Sequence, residues 1–260
     1  MKVTYIYHSG FAVELEKSVL LFDYCEGELP QWGREKAVYV FASHKHKDHF
    51  TMKVLELDGK YENVRYIFGN DIKLNGKYLE RKGIPASIKE KIITVGKGKT
   101  LECGGLWIRT FRSTDAGVAF AVYTEGRLLY HAGDLNWWHW KGEPSSWNEA
   151  MERDYKREMD SLKGMFSLEE PDFFKRINPP MFDVAFVPLD PRLEEAYGWG
   201  MDYFLEHVGA KYVFPMHMWE EYGIIDRYKE TQLGKKRRDW IMDIREAGQE
   251  FKLWNISYLC

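Results

Sequence analysis

Residues 44–49 read His-Lys-His-Lys-Asp-His, and this short stretch constrains the chain more than any other. Three imidazoles and a carboxylate within six positions form a donor set suited to a borderline-soft divalent ion. Their spacing lets His44 and His46 face one way while Asp48 and His49 reach another. That arrangement suits two ions. The competing reading is a solvated, lysine-rich loop in which histidines meet by chance, and with 8 histidines in 260 residues the pattern is too dense for chance to be preferred.

The flanks show what holds the loop. Ala37 to Ala42 is a short apolar, β-prone run ending at Ser43, and Phe50-Thr51 leads into Met52 to Leu57, which has helical character. The cluster is therefore predicted on a strand-to-helix loop, where a rigid scaffold fixes side chains that stay accessible. Similar runs recur along the chain. Val3 to Tyr7, Phe11 to Leu15 and Val19 to Phe22 read as opening strands, and Val64 to Phe68, Ile92 to Val95, Leu106 to Phe111 and Gly117 to Thr124 are expected to complete a first sheet. Arg127 to Tyr130, Asp183 to Val187 and Tyr212 to Phe214 are assigned to a second. Ser146 and Glu149 have capping-box spacing, and Trp147, Met151, Tyr155, Met159 and Leu162 follow at helical spacing with Gly164 placed to stop the helix. A further helix is expected from Met201 to Val208, ending at Gly209.

Beyond the histidine cluster, the chain carries His8-Ser9-Gly10-Phe11 after its first strand, Asp23 at the end of its third, Tyr130-His131-Ala132-Gly133-Asp134, and Phe214-Pro215-Met216-His217. Together with residues 44–49 these resemble the motifs of the metallo-β-lactamase superfamily, and they span most of the sequence. The resemblance implies an α/β (α+β) fold, a four-layer αββα sandwich of two mixed sheets flanked by helices. It implies one domain over 1–260, with a helical insertion at about 136–180. It also implies a ligand set, with His44 and His46 on a first metal, Asp48, His49 and His217 on a second, and Asp134 bridging them.

One ligand of the family pattern has no counterpart. Where the family usually places a third histidine, this chain reads Phe111-Arg112-Ser113-Thr114-Asp115-Ala116. Asp115 is the strong donor of that segment. As a ligand it makes the first site harder and shifts preference from zinc toward manganese or iron, and as a turn residue it only orders the chain before the next strand. Both readings stand. In the resembling families a histidine at the position of His8 more often supports substrate or a ligand than binds metal directly, a buried structural role is the alternative, and if Asp115 does not bind, His8 or water is left to fill the first site. His131 reads as a core or ligand-supporting residue, and His139 and His207 as non-ligands.

The chemistry implied is hydrolysis at one or two divalent ions, zinc first, with manganese or iron as alternatives. Two such ions about 3.5 to 4 Å apart lower the pKa of a shared water and polarise the scissile group. Asp48 would orient the nucleophile. The motif style is closest to the branch containing L-ascorbate-6-phosphate lactonase, which points to a small-molecule ester, lactone or phosphoester. Arg192, in Pro188-Leu189-Asp190-Pro191-Arg192, offers a fixed fork for an anionic substrate, against the plainer reading of a surface ion pair. Trp137-Trp138-His139-Trp140 is a candidate aromatic wall beside the metals, against simple packing under the insertion. Two other classes stay open: a metal-dependent nuclease of the same superfamily, and a non-hydrolytic diiron or ligand-binding relative suggested by the missing histidine.

Composition narrows the setting. A net charge of −3 leaves no global footprint for nucleic acid, and the basic run Lys235-Lys236-Arg237-Arg238 reads as an exposed helical face. Three cysteines, Cys25, Cys103 and Cys260, form no C-x-x-C pair, and with no signal-like start they point to the cytoplasm. No apolar stretch approaches the length of a membrane span. Self-association is left open.

Overall fold

The computed structural model describes residues 1–167 and 180–253. Residues 168–179 of the expected insertion, and residues 254–260 with Cys260, lie outside them. The chain divides into two compact units, one from Met1 to Val95 together with the C-terminal segment from Glu246, the other from Gly96 to Arg245. Each is built on one mixed β-sheet with helices, of seven and six strands respectively. This is the fold class that the motifs implied.

The first unit holds β1 (Lys2–Tyr7), β2 (Gly10–Glu14), β3 (Ser18–Phe22), β4 (Ala37–Ala42), β5 (Asn63–Gly69), α1 (Gly76–Arg81) and β6 (Ile92–Val95). β1, β2 and β3 are antiparallel neighbours, β3 to β6 run parallel, and the short strand Glu250–Lys252 closes the sheet beside β1. The parallel strands are near-continuous apolar runs, as strands covered on both faces must be. On one face Val19, Leu21, Val38, Val40, Val64, Tyr66 and Phe68 alternate along their strands and pack on Val54, Leu55 and Leu57 of the 3-10 helix Met52–Gly59, with Leu79 of α1. Each such buried side chain contributes about 1.5–3 kcal/mol, which makes the frame under the histidine loop stiff. The helical segment after the cluster is thus 3-10 rather than α.

The second unit holds β7 (Thr100–Cys103), β8 (Leu106–Arg112), β9 (Val118–Thr124), β10 (Arg127–His131), α2 (Ser145–Gly164), β11 (Phe182–Pro188), α3 (Trp199–His207), β12 (Ala210–Met216), α4 (Gly223–Lys229) and α5 (Gln232–Lys236). Its sheet order is β12-β11-β10-β9-β8-β7. Here the expected sheet assignment is corrected: β8 and β9 belong to this second sheet, not the first. The reason lies in the turns. Thr124 pairs with Arg127 across Glu125 and Gly126, both at positive φ, and Cys103 pairs with Leu106 across Gly104 and Gly105. Two-residue turns of this kind make hairpins of β7–β8 and β9–β10, and β8 pairs antiparallel with β9 from Trp107–Tyr123 to Arg112–Val118, so all four strands lie in one sheet. β10, β11 and β12 run parallel, so they need the long crossovers that α2 and α3 provide.

Three local expectations also change. α2 begins at Ser145 behind Pro144, with no side-chain cap, so Ser146 and Glu149 do not form a capping box. Gly164 remains inside the helix, whose cap is Met165. Of the apolar stripe, Tyr155, Met159 and Leu162 are buried, whereas Trp147 and Met151 pack half-buried against Trp138, Leu193 and Ala196. Gly209, at positive φ just past Val208, does follow α3 as the sequence predicts. Lys235, Lys236 and Arg238 are exposed at the end of α5 and beyond it.

Candidate metal centre

The loop after β4 folds back on itself through two backbone bonds to the His46 carbonyl, from the amides of His49 (3.1 Å) and Phe50 (2.9 Å). The turn brings the donors together. His44 and His49 are fully buried, Asp48 is half-buried and His46 is exposed. His44 Nε2 and His46 Nδ1 lie 2.9 Å apart. Asp48 Oδ2 lies 3.6 Å from His8 Nε2 and 3.8 Å from His49 Nε2. His8 reaches this position because the β1–β2 turn holds it at φ 52°, with its amide donating to the Tyr5 hydroxyl at 3.0 Å. His8 thus stands among the donors.

Asp23 supports the loop from β3. Its Oδ1 accepts from the Ser43 amide at 2.6 Å, and its Oδ2 lies 2.6 Å from the Ser43 hydroxyl and 2.7 Å from His49 Nδ1. Ser43 Oγ in turn is 2.9 Å from His44 Nδ1. Both buried imidazoles therefore have Nδ1 engaged by an oxygen partner, which fixes the ring and turns Nε2 toward the donor group.

The second unit repeats the device. Asp134 follows β10 through the Ala132-Gly133 turn, and His217 follows β12 at φ 66°. His217 Nε2 lies 3.4 Å from Asp134 Oδ1, while its Nδ1 lies 2.8 Å from Oδ2 of the buried Asp190, at the end of β11. Burial alone would raise the Asp190 pKa, but hydrogen bonds from His217 and Arg192 outweigh it and hold the carboxyl down to about 2. Asp190 is thus a carboxylate at any physiological pH. In the sequence its one signal is an acid at a strand end, in the same loop as Arg192.

Arg192 is committed to that acid. Its Nε lies 3.0 and 3.1 Å from the two Asp190 oxygens and its Nη2 2.5 Å from Oδ2, with the guanidinium 4.4 Å from the Trp219 ring centre and 5.6 Å from that of Trp140. The guanidinium fork thus grips the carboxylate behind His217. The tryptophan run divides. Trp138 packs edge-on to His217 at 5.6 Å, stacks on Trp140, and donates from Nε1 to the Asp134 carbonyl at 2.9 Å. Trp137 turns away to Trp199 and Tyr203, and His139 packs on Trp199.

Asp115 stands exposed in the turn before β9, its amide donating to the Ser113 hydroxyl at 3.1 Å, and it joins no group of three or more candidate ligands among the described residues. His131 is buried, with Nδ1 accepting from the Gly133 amide at 3.1 Å, so it shapes the turn that presents Asp134. Cys25 offers no thiolate at neutral pH, because burial, reinforced by the carboxylates of Asp23 and Asp48, pushes its pKa up to about 12.

The donor set fits a metal on its own geometry. Donor atoms around an ion with bonds of 2.0–2.1 Å sit roughly 3 to 3.4 Å apart, and the separations above cluster near that value. Imidazole and carboxylate donors, with the imidazole Nδ1 atoms held by oxygen, make up the ligand chemistry of zinc, manganese and iron sites.

A model of the beta-lactamase superfamily domain matches residues 2–139. The chain belongs to that superfamily. By class it is a metal-dependent hydrolase fold, and the matched residues include every candidate ligand except His217. Among solved structures it resembles Igni18, described as a novel metallo hydrolase from Ignicoccus hospitalis, at 16% identity and a TM-score of 0.60, covering 97% of this chain and 99% of that one. An isothiocyanate hydrolase from Delia radicum gut bacteria aligns at 14% identity and a TM-score of 0.54, covering 97% and 99%. CmlA, a diiron beta-hydroxylase from Streptomyces venezuelae, aligns at 11% identity and a TM-score of 0.57 over 97% of this chain and 54% of its own length. At these identities the likeness is one of fold. No curated protein matches the chain.

Proposed function

We propose that the chain is a metal-dependent hydrolase of a small-molecule ester, lactone or phosphoester, with His44, His46, Asp48, His49, Asp134 and His217 as the ligand set and His8 beside it. The observation that carries this reading is that His44, His49 and His217 each have Nδ1 held by an oxygen partner, at 2.9, 2.7 and 2.8 Å, leaving Nε2 to donate. Neither unit supplies a full set alone. The first offers four imidazoles and one carboxylate, the second one of each, and the family pattern uses both.

When bound, one or two divalent ions, zinc first and manganese or iron next, supply Lewis acidity and an acidified water. The chain's own groups do the rest. Asp48, half-buried with Oδ2 near His8 and His49, orients the attacking water and takes up its proton. Trp138 and Trp140 keep bulk water from the His217 side and give a flat wall for substrate. Asp190 and Arg192 hold the His217 ring, which replaces a direct substrate contact for Arg192. Free Cys25 and Cys103 agree with a reducing, cytoplasmic setting, and no helix among the described residues is long and apolar enough to cross a membrane.

Elemental analysis of protein purified without added metal, with a screen of lactones, phosphodiesters and thioesters, tests the reading. Expected are one or two equivalents of zinc, manganese or iron and turnover of one class, lost in Asp48→Ala and Asp134→Ala with the fold retained. Metal-free protein, or full activity in either variant, overturns it. Iron with a visible absorption band and no hydrolysis would transfer the chain to redox chemistry.

A further inference from the structure

A concavity lies within the unit from Gly96 to Arg245, and none of the candidate metal ligands lines it. It is a cavity of about 260 Å³ with Lys97, Arg109 and Arg112 on one side, Arg157 and Ser161 of α2 on the other, and Glu158 as the one carboxylate among its described lining. Four residues with cationic side chains thus line one hollow in a chain whose net charge is −3.

The one acid is already engaged. Glu158 Oε2 accepts from the Arg112 amide at 3.2 Å, and Oε1 lies 3.7 Å from Arg157 Nε. Arg157 also meets Asp154 at 3.2 Å, so part of its charge is answered from within α2. The Lys97 ammonium and the Arg112 guanidinium have no ion-pair partner among the described residues, and both side chains belong to exposed positions. Like charges gathered around a concavity repel one another, and an anion seated among them turns that repulsion into attraction. Guanidinium forks match phosphate and carboxylate oxygens two at a time, and a lysine adds a movable point charge. Pockets for drug-sized ligands run from about 300 to 1,000 Å³, so this one suits a smaller molecule carrying one or two phosphate groups.

We propose that this hollow is a binding site for a small polyanion of the pyrophosphate class, held by Lys97, Arg109, Arg112 and Arg157. The site is independent of the metal centre. It needs neither bound metal nor the hydrolytic reading, and it places a second ligand on the same sheet that presents Asp134 and His217.

Isothermal titration calorimetry of the purified full chain with inorganic pyrophosphate in low-salt buffer tests the proposal, with inorganic phosphate as the weaker comparison. Binding is expected to weaken at least tenfold in Arg112→Ala/Arg157→Ala, to weaken at least threefold in Lys97→Ala, to fall with added salt, and to be unchanged in Asp134→Ala. Thermal melts check the fold; Lys97→Ala alters an exposed side chain with no ion-pair partner among the described residues and serves if the double variant fails to fold. No binding to the wild type at millimolar pyrophosphate overturns the proposal, as does unchanged affinity in the basic-residue variants. Loss of binding in Asp134→Ala also overturns it, since that result assigns pyrophosphate to the metal centre.

Discussion

Asp190 Oδ2 sits 2.8 Å from His217 Nδ1, at the ends of β11 and β12, two parallel neighbours whose register puts Pro188 opposite Met216. The pairing makes the ring orientation of His217 a property of the sheet. Arg192 then fixes the acid from behind, through Nε and Nη2, with Trp219 under the guanidinium. Removing a group that orients a ligand typically costs 10–100-fold in metal affinity. Arg192→Ala is therefore expected to weaken metal binding about tenfold and Asp190→Asn more, each measured by competition with a chelator. Arg192→Lys should not restore affinity, because an ammonium cannot replace the fork. Affinity unchanged in Arg192→Ala would return the arginine to the role of substrate anchor.

Asp23 does for the first unit what Asp190 does for the second, with more at stake for folding. It is fully buried and holds the Ser43 amide, the Ser43 hydroxyl and His49 Nδ1. Asparagine at this position keeps one acceptor but aims an NH₂ group at donors, leaving buried hydrogen-bonding groups unmatched. Asp23→Asn is expected to cost about 3 kcal/mol of stability and to lower metal content, read by urea denaturation and elemental analysis. A loss below about 0.5 kcal/mol would show that the loop is held by something else.

How far these features can be read from sequence depends on how local their signal is. The donor residues announce themselves through spacing and strand ends, as do the apolar runs of β1, β3, β4 and β5. Sheet membership is not local: Leu106 to Arg112 alternates as a strand of either sheet would, the Gly104-Gly105 and Glu125-Gly126 turns signal only the hairpins β7–β8 and β9–β10, and the pairing of β8 with β9 that joins them crosses a longer connection. Asp190 was hidden for a related reason. An acid before proline looks like a helix cap, and Asp190 does accept from the Arg192 amide at 2.9 Å; its other oxygen holds His217, a partner 27 positions away in the sequence.

Asp202 gives a pH dependence of opposite sign to that of most surface acids. Burial raises its pKa, the Tyr228 hydroxyl, which donates to Oδ1 at 2.6 Å, works against that, and Glu206 adds to the rise. The net direction is upward, so the folded state holds this proton more tightly than the unfolded chain. Its contribution is fully present below the ordinary carboxylate value near 3.9 and is lost as pH rises through the raised folded value. At neutral pH the charge is a net cost. Asp202→Asn keeps an acceptor for Tyr228 and is expected to be more stable than the wild type at pH 7 by roughly half a kcal/mol, with the gain shrinking toward pH 4. Thermal melts at the two pH values check this, and a variant less stable at pH 7 would reject it.

Gly200 links helix packing to the metal centre. It lies buried in the first turn of α3, its carbonyl accepting from the Tyr155 hydroxyl at 2.8 Å, so α3 cannot easily back away from α2. A Cβ at this position would fall 1.9 Å from Asn136 Oδ1 and 3.2 Å from the Trp137 amide nitrogen. Asn136 is itself tied by the Thr114 hydroxyl, which donates to the Asn136 carbonyl at 2.6 Å and lies 3.3 Å from that of Asp134. Helix propensity alone would favour alanine over glycine by about 1 kcal/mol, but overpacking typically costs 1–3 kcal/mol and should win. Gly200→Ala is expected to be destabilised by about 1–2 kcal/mol and to bind metal more weakly, because the displaced Asn136 pulls on the turn that carries Asp134. Asn136→Ala in the same chain should restore much of the loss, a coupling that a double-mutant cycle measures. If the two substitutions prove additive, the clash is relieved elsewhere and the path from α3 to Asp134 does not exist.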